Sequence, residues 1–376
     1  MKVAIANGSQ NFHNNNILQR AIAEKFPGTL WIHHLAKLLE SADIDVVTSD
    51  IALKKIAKSQ WNAGEVLVIQ ELDAQEGKKL ISAGAIPFVL TGLESPLFAY
   101  NFYDQISSIA LKFHHRFLYS GLFKSFAKRG GTNHDLYFPS FEKKDILPVK
   151  SWQQRKFLVL VISNKFWQGP LKLPLFRNLK IYPKWLMHQW QMKTSPNRNL
   201  AIQNELQTKR LEAIEYFGKK NKLDLYGKGW ESLENLPKNW QQKLQNLDTI
   251  KKSTPIKDKL KTISSYKFAI CFENVSYPGH ITEKIIDCFV AGIIPIYLGP
   301  ENINYFIPKD TFINMRDFKS WQDLNDCLLS FSKKDAQKML QKARKFITGI
   351  GSHYSYEEFA NNLAQLILNS LKRRNK

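Results

Sequence analysis

Between residues 272 and 299 the chain reads FENVSYPGHITEKIIDCFVAGIIPIYLG, and the groups able to do chemistry crowd its first half: Glu273, Asn274, His280, Thr282, Glu283 and Lys284. Thr282 has the residue type of a helix N-cap, which places Glu283 and Lys284 in a first helical turn. A helix start presents N–H groups without intrahelical partners at the positive end of the dipole, and Lys284 adds a full charge beside them. That is an anion site, and a phosphate fits it. The same TEK string also describes an ordinary capped helix with an exposed Glu-Lys pair, because Glu283 too favours a helix N-terminus.

Elements on either side must hold these groups in place. YKFAICF is an apolar run suited to a buried strand, so Glu273 and Asn274 fall at its carboxyl end, where open α/β sheets bind ligands. Ile285, Ile286, Phe289 and Val290 recur at helical spacing and should face the sheet, and Gly292 ends the helix. IIPIYLG is the next strand.

The same alternation runs through the rest of the chain. Residues 1 to about 95 pass through KVAIA, NNILQRAIAEKF, DIDVVTS, DIALKKIAK, EVLVIQ, AQEGKKLISAG and AIPFVLTG, which predicts βαβ units around a parallel sheet. A Pro-containing stretch, YFPSFEKKDILPVK, reads as a hinge and puts a domain boundary near 150. A second series follows with KFLVLVIS, a long helix over RNLAIQNELQTKRLEAIEYFGKK, LDLYG, YKFAICFEN, TEKIIDCFVAG and IIPIYLG. The expected division is an N-terminal domain over 1–150, a second over 151–350, and a terminal amphipathic helix with a basic tip over 351–376. That helix either docks on the body or lies on an anionic membrane surface.

Composition narrows the class. At 376 residues the chain is long enough for two or three domains, and 44% of it is hydrophobic. Its 54 Lys and Arg against 33 Asp and Glu give a formal charge of +21, which favours phosphorylated partners, polyanions and anionic surfaces. Three cysteines without a CxxC pair support neither a disulfide framework nor a zinc site. The N-terminus MKVAIANGSQ enters a strand directly, and no apolar run reaches 18 residues, so the expected setting is cytoplasmic, with at most peripheral membrane contact.

The order FEN, short loop, ITEK, helix and IPIYLG resembles the α1,3/4-fucosyltransferase family, inverting GT-B enzymes that use GDP-fucose. Two further patterns fit it. VISN, then an Arg on a helix, then LDLYGKG is similar to the family's second-domain pattern, and VLTGLESP is similar to its first-domain segment bearing the general base. The resemblance implies an α/β GT-B fold, two doubly wound Rossmann-like domains facing each other across a cleft. It also implies attack of an acceptor hydroxyl on C1 of GDP-β-L-fucose. Glu94 then takes the acceptor proton, Arg210 and Lys284 meet the diphosphate, and Glu283 lies near the fucose. Asn274, Glu273, His280 and Thr282 become candidates for donor contacts, while Ser163, Asn164, Tyr226 and Gly227 line the nucleotide side. No metal or other cofactor is implied, since fixed cations neutralise the leaving group. The partners implied are the nucleotide sugar and a glycan or glycolipid acceptor.

Two departures stand out. His280 occupies a position where the family mostly has tyrosine, and an insertion over 165 to 197 lengthens the link to the Arg210 helix. The string DID at 43–45 belongs to a strand-like run rather than to a metal site. Three rival readings are a GT-B enzyme using another nucleotide sugar, a basic nucleic-acid-binding protein without any recognised module, and a catalytically silent binding protein. The acceptor and the choice of α1,3 or α1,4 linkage are not written in these motifs.

Overall fold

The computed structural model describes residues 1–125, 130–165 and 193–374. Most of the 165–197 insertion therefore lies outside the described residues. The chain divides into two compact units, residues 1–142 with 352–376, and residues 143–351.

In the first unit six strands form one sheet: β1 (Lys2–Ala6), β2 (Asp45–Thr48), β3 (Val66–Glu71), β4 (Ile86–Thr91), β5 (His115–Leu118) and β6 (Thr132–Asp135). Their order is β2-β1-β3-β4-β5-β6, with every neighbour parallel. Val3 to Ala6 and Val66 to Ile69 are buried, as expected for strands covered on both faces. The strand order reverses between β1 and β3, so this is the sheet's topological switch point. Asn7 and Glu71 stand at the two carboxyl ends there, and the Asn7 amide donates to the Glu71 carboxylate.

The second unit holds β7 (Lys156–Val161), β8 (Leu223–Tyr226), β9 (Tyr266–Ile270), β10 (Ile294–Tyr297) and β11 (Ile313–Asn314), in the order β11-β10-β9-β7-β8 and again parallel. Its switch point lies between β7 and β9. Those strands run out into Ile162-Ser163-Asn164 and Cys271-Phe272-Glu273-Asn274.

The expected boundary near 150 falls at 142, and the terminal segment from 352 belongs with the first unit. The segment after 142 is clasped to the second unit: the Leu147 N–H bonds the Val290 carbonyl at 2.9 Å, and Arg344 bonds the Leu147 carbonyl. At the other end, Ser140 N–H meets the Tyr354 carbonyl and Tyr356 N–H meets the Phe141 carbonyl, both at 2.9 Å, returning the chain to the first unit. The terminal helix Tyr356–Arg374 packs on the helix Leu30–Glu40. Phe359, Leu363 and Ile367 on its apolar face are buried, and Trp31 meets Phe359 edge-on at 5.2 Å. The apolar stripe that would enter a membrane interface is thus occupied within the fold. Among the described residues no helix is long and apolar enough to cross a membrane.

The long helix expected after 198 is two helices, Pro196–Gln203 and Gln207–Lys219. The break has a partner. The Leu206 N–H bonds the Asn274 carbonyl at 3.0 Å, and the Ser276 N–H bonds the Asn204 carbonyl at 2.8 Å, so the interrupted turn pairs with the loop after β9. Glu205 then caps the second helix by accepting from the Thr208 N–H at 3.0 Å. Breaking the helix there fixes the start of the segment that carries Arg210.

Candidate active site

Arg210 lies one turn into the helix Gln207–Lys219 and is 4% exposed. Its guanidinium reaches to the end of β9, where Nη2 donates to the Phe272 carbonyl and, at 3.1 Å, to Asn274 Oδ1. Burial lowers its pKa to about 10, against the opposing charges of Glu273 and Glu283, so it remains cationic at neutral pH. Asn274 therefore orients the arginine, with its side-chain oxygen already engaged.

Glu273 has no exposed surface. One carboxylate oxygen accepts from the Thr282 N–H at 2.9 Å and from the Tyr297 hydroxyl at 3.3 Å; the other accepts from Thr282 Oγ1 at 2.7 Å and faces Lys284 Nζ at 3.3 Å. Two carboxylate oxygens offer about four acceptor positions, and these contacts fill them. The expected donor contact by Glu273 is replaced by a structural one: it closes the 273–282 loop onto the helix start. The expected capping by Thr282 is corrected in the same way. Thr282 sits at the N-cap with extended backbone but makes no side-chain cap bond, because its hydroxyl turns back to Glu273.

The helix Glu283–Ala291 begins at that clamp and ends at Gly292, which adopts the left-handed conformation with φ of 68°. Glu283 and Lys284 occupy its first turn as expected, both half-buried, with 3.3 Å between Lys284 Nζ and Glu283 Oε1. Burial works against the Glu283 charge, yet the charges of Lys284 and Lys259, with its own backbone N–H, hold the carboxyl at about 2. Burial likewise works against the Lys284 charge, and Glu283 and Glu273 outweigh it and raise the ammonium's pKa.

Lys259 and Asp287 were missed. Lys259 Nζ lies 2.6 Å from Asp287 Oδ2. Burial opposes the Lys259 charge, while Asp287 and Glu283 raise its pKa. The signal lay in TEKIID, where Asp287 comes four residues after Glu283 and so on the same helix face. A carboxylate in an otherwise apolar helix needs a cation. Arg210, Lys259 and Lys284 thus balance Glu273, Glu283 and Asp287. A bound anion would be held by directed donors and the helix start rather than by a large net potential.

Ser163 and Asn164 share a small pocket with Arg210, Gln207 and Trp230. Asn164 is buried and stitches the neighbouring loop, its Nδ2 donating to the carbonyls of Gly229 at 2.9 Å and Ser232 at 2.8 Å. Gly227 has φ of 147°, and a Cβ there would lie 1.9 Å from the Ile162 carbonyl oxygen. What approaches this glycine is the chain's own backbone. Tyr226 departs from expectation: it points to the opposite side of β8 from Leu225, with its hydroxyl 3.0 Å from that of Tyr266. His280 is 1% exposed, and burial pushes its ring down to about 4. It is neutral at pH 7.

Glu94 belongs to the first unit. It follows β4 as an exposed residue between the buried Leu93 and Ser95, its Oε1 accepting from the Ser95 N–H at 2.8 Å. The Tyr103 hydroxyl bonds the Glu94 carbonyl at 2.7 Å, and the Tyr119 hydroxyl bonds the Leu93 carbonyl at 3.0 Å, which pins the turn to the domain. A second carboxyl stands near it: burial, then the charge of Glu94, raises Glu71 to about 7 against the bond from Asn7. His13, Asp50 and Glu76 also gather at this sheet edge with ligand atoms within 4.8 Å of one another. Their polar atoms are bonded locally, as Thr48 Oγ1 to Asp50 at 2.6 Å and Ser49 Oγ to Glu76 at 2.5 Å.

Residues 190–342 match the model of the glycosyltransferase family 10 (fucosyltransferase) C-terminal domain. Over 81 residues, 21% of this chain and 23% of the relative, the sequence is 41% identical to 4-galactosyl-N-acetylglucosaminide 3-alpha-L-fucosyltransferase 9 of Mus musculus. Over 89 residues, 23% of this chain and 25% of the relative, it is 40% identical to 4-galactosyl-N-acetylglucosaminide 3-alpha-L-fucosyltransferase FUT6 of Gorilla gorilla gorilla. The chain thus matches about a quarter of the length of these curated relatives. The crystal structure of Anabaena Alr3699/HepE in complex with UDP and glucose is similar over 99% of this chain and 100% of that one, with a TM-score of 0.50 and 12% identity. That is a likeness of fold, and it agrees with the two parallel sheets of the GT-B class. The matched segment 190–342 carries Arg210, Glu273, Glu283 and Lys284.

Proposed function

We propose that the protein transfers L-fucose from GDP-β-L-fucose to a hydroxyl of an acceptor glycan, with inversion at the anomeric carbon. The observation that carries this reading is the assembly of Arg210, Asn274, Glu283 and Lys284 at one sheet switch point, within the segment that matches the fucosyltransferase family. The acceptor oxygen forms a bond to C1 as the bond from C1 to the phosphate oxygen breaks, and GDP leaves with that electron pair. The acceptor proton passes to Glu94, an exposed carboxylate on a pinned turn. Arg210, Lys284 and the N–H groups at the start of the helix Glu283–Ala291 stabilise charge growing on the diphosphate. Glu283, ionised at any working pH, offsets positive charge developing at C1. Fixed cations take the part a divalent metal plays elsewhere, so activity is expected to survive a chelator.

The test is incubation with GDP-fucose and a panel of free glycans, with mass spectrometry for the added deoxyhexose and NMR for its position. Transfer from a UDP-sugar with none from GDP-fucose would overturn the reading.

A further inference from the structure

Phe98 is the exception among the aromatic residues that follow β4. Phe102, Phe113 and Phe117 are buried at 2%, 2% and 6% exposure, whereas Phe98 is 47% exposed. A single exposed apolar side chain is ordinary on a protein surface; what distinguishes this one is that its backbone is tied down beside Glu94. The Phe98 N–H bonds the Ser95 carbonyl at 3.1 Å and the Ala99 N–H bonds the same carbonyl at 2.9 Å. Leu97, on the same turn, points inward at 4% exposure. The tyrosine bonds to the Leu93 and Glu94 carbonyls hold the residues just before. The ring is therefore presented outward by a rigid turn.

The neighbouring chemistry selects what it is presented to. Four residues before Phe98 stands the exposed carboxylate of Glu94, and Glu71 with its Asn7 partner lies at the same carboxyl edge of the sheet. An exposed aromatic ring on the same short loop as an exposed carboxylate suits a ligand with an apolar face and a rim of hydroxyl donors, and a pyranose ring has both. Flat aromatic surface contributes contact area at little conformational cost.

We propose that Phe98 is an acceptor-contacting residue, a platform on which one pyranose ring of the acceptor stacks while its neighbouring hydroxyl faces Glu94. This rests on the proposed function, and it fixes the acceptor class as a glycan offering an unsubstituted pyranose face beside the reacting hydroxyl.

The experiment combines saturation-transfer NMR on N-acetyllactosamine with transfer kinetics, using wild type, Phe98→Ala and Phe98→Trp. Thermal melts confirm folding, since an exposed side chain should leave the midpoint unchanged. The expected result is saturation of ring C–H protons in wild type, a loss of at least fivefold in Phe98→Ala, and retention in Phe98→Trp. The acceptor KM should rise about tenfold in Phe98→Ala with the GDP-fucose KM unchanged. Equal saturation and equal acceptor KM in wild type and Phe98→Ala would overturn the platform, as would a matching rise in donor KM. Neither result touches the proposed function, which falls only if GDP-fucose is not a donor.

Discussion

Lys284 Nζ stands 3.3 Å from a carboxylate oxygen of Glu273, a side chain with no exposed surface whose two oxygens also accept from the backbone and hydroxyl of Thr282. One buried charge thus closes a loop, orients a helix start and pairs with a cation of its first turn.

Glu273→Gln keeps the shape of that clamp but turns one acceptor oxygen into a donor. The new NH2 group must face either Thr282 or Lys284, and breaking a buried pair from one side is costly. The expected loss is on the order of 3 kcal/mol, read as a lower urea midpoint at unchanged slope. GDP affinity should fall with it, because the 273–282 loop positions the helix start. A variant as stable as wild type would mean that the Thr282 bonds do not need the charge.

Arg210→Lys tests whether the guanidinium acts as a fork. Arg210 uses one nitrogen to hold the Phe272 carbonyl and Asn274, leaving its planar shape to aim the rest of the group. An ammonium offers no such fixed geometry. Removing a preorganised donor costs about 3 kcal/mol of barrier, so turnover at saturating donor should fall roughly a hundredfold. A turnover number within threefold of wild type would place the arginine in a structural role only.

Glu94→Gln should nearly abolish transfer while leaving GDP affinity intact, and Glu71 supplies a sharper version of this test. Burial and the nearby Glu94 charge hold Glu71 at about 7, so it is half ionised at neutral pH. As pH rises through 7, its new negative charge makes Glu94 a stronger base, and transfer should rise with an inflection near that value. Glu71→Gln should remove the inflection. Stability carries the opposite sign: a carboxyl whose pKa is raised on folding stabilises most below its ordinary 4.5, and that contribution is lost as pH rises through 7. Melting of the first unit should therefore lose this decline in Glu71→Gln, and a pH–rate profile identical to wild type would separate the two carboxyls.

The fold was legible because parallel strands buried on both faces leave continuous apolar runs, as in Val66 to Ile69 and Ile294 to Tyr297. The placement of Glu273 and Asn274 just beyond the end of β9, and of Glu283 and Lys284 at the next helix start, followed from the apolar runs alone. What the sequence hid was which way a polar group turns. Glu273 and Thr282 were placed correctly at the strand end and helix start, yet they bond each other across nine residues, a long-range choice no local spacing encodes. For Tyr226 a period of two decides only that it takes the opposite side of β8 from Leu225, and its hydroxyl contact with Tyr266 is a long-range partner that the spacing does not encode. The helix break at Asn204 to Leu206 carries no proline or glycine; it exists because the loop after β9 offers partners for its backbone. Lys259 shares no local pattern with Asp287 and was invisible for the same reason.

His280 makes the acid side of the stability curve testable. Burial depresses its ring to about 4 from the ordinary 6.5. Between those values the unfolded chain takes up a proton that the folded chain refuses, so stability present above 6.5 is lost as pH falls toward 4. His115, also lowered to about 4 by burial and then by the His134 charge, acts the same way in the first unit. Glu283, held at about 2, contributes below this window, between 4.5 and 2, and does not confuse it. Each histidine accounts for at most about 3 kcal/mol across the window. His280→Gln, neutral at every pH, should flatten the loss of second-unit stability between pH 6.5 and 4.5, measured by urea denaturation, and leave the first unit's slope alone. An unchanged slope in that variant would mean that His280 accepts its proton within the folded loop, where the buried Glu273 carboxylate would be the stabilising charge.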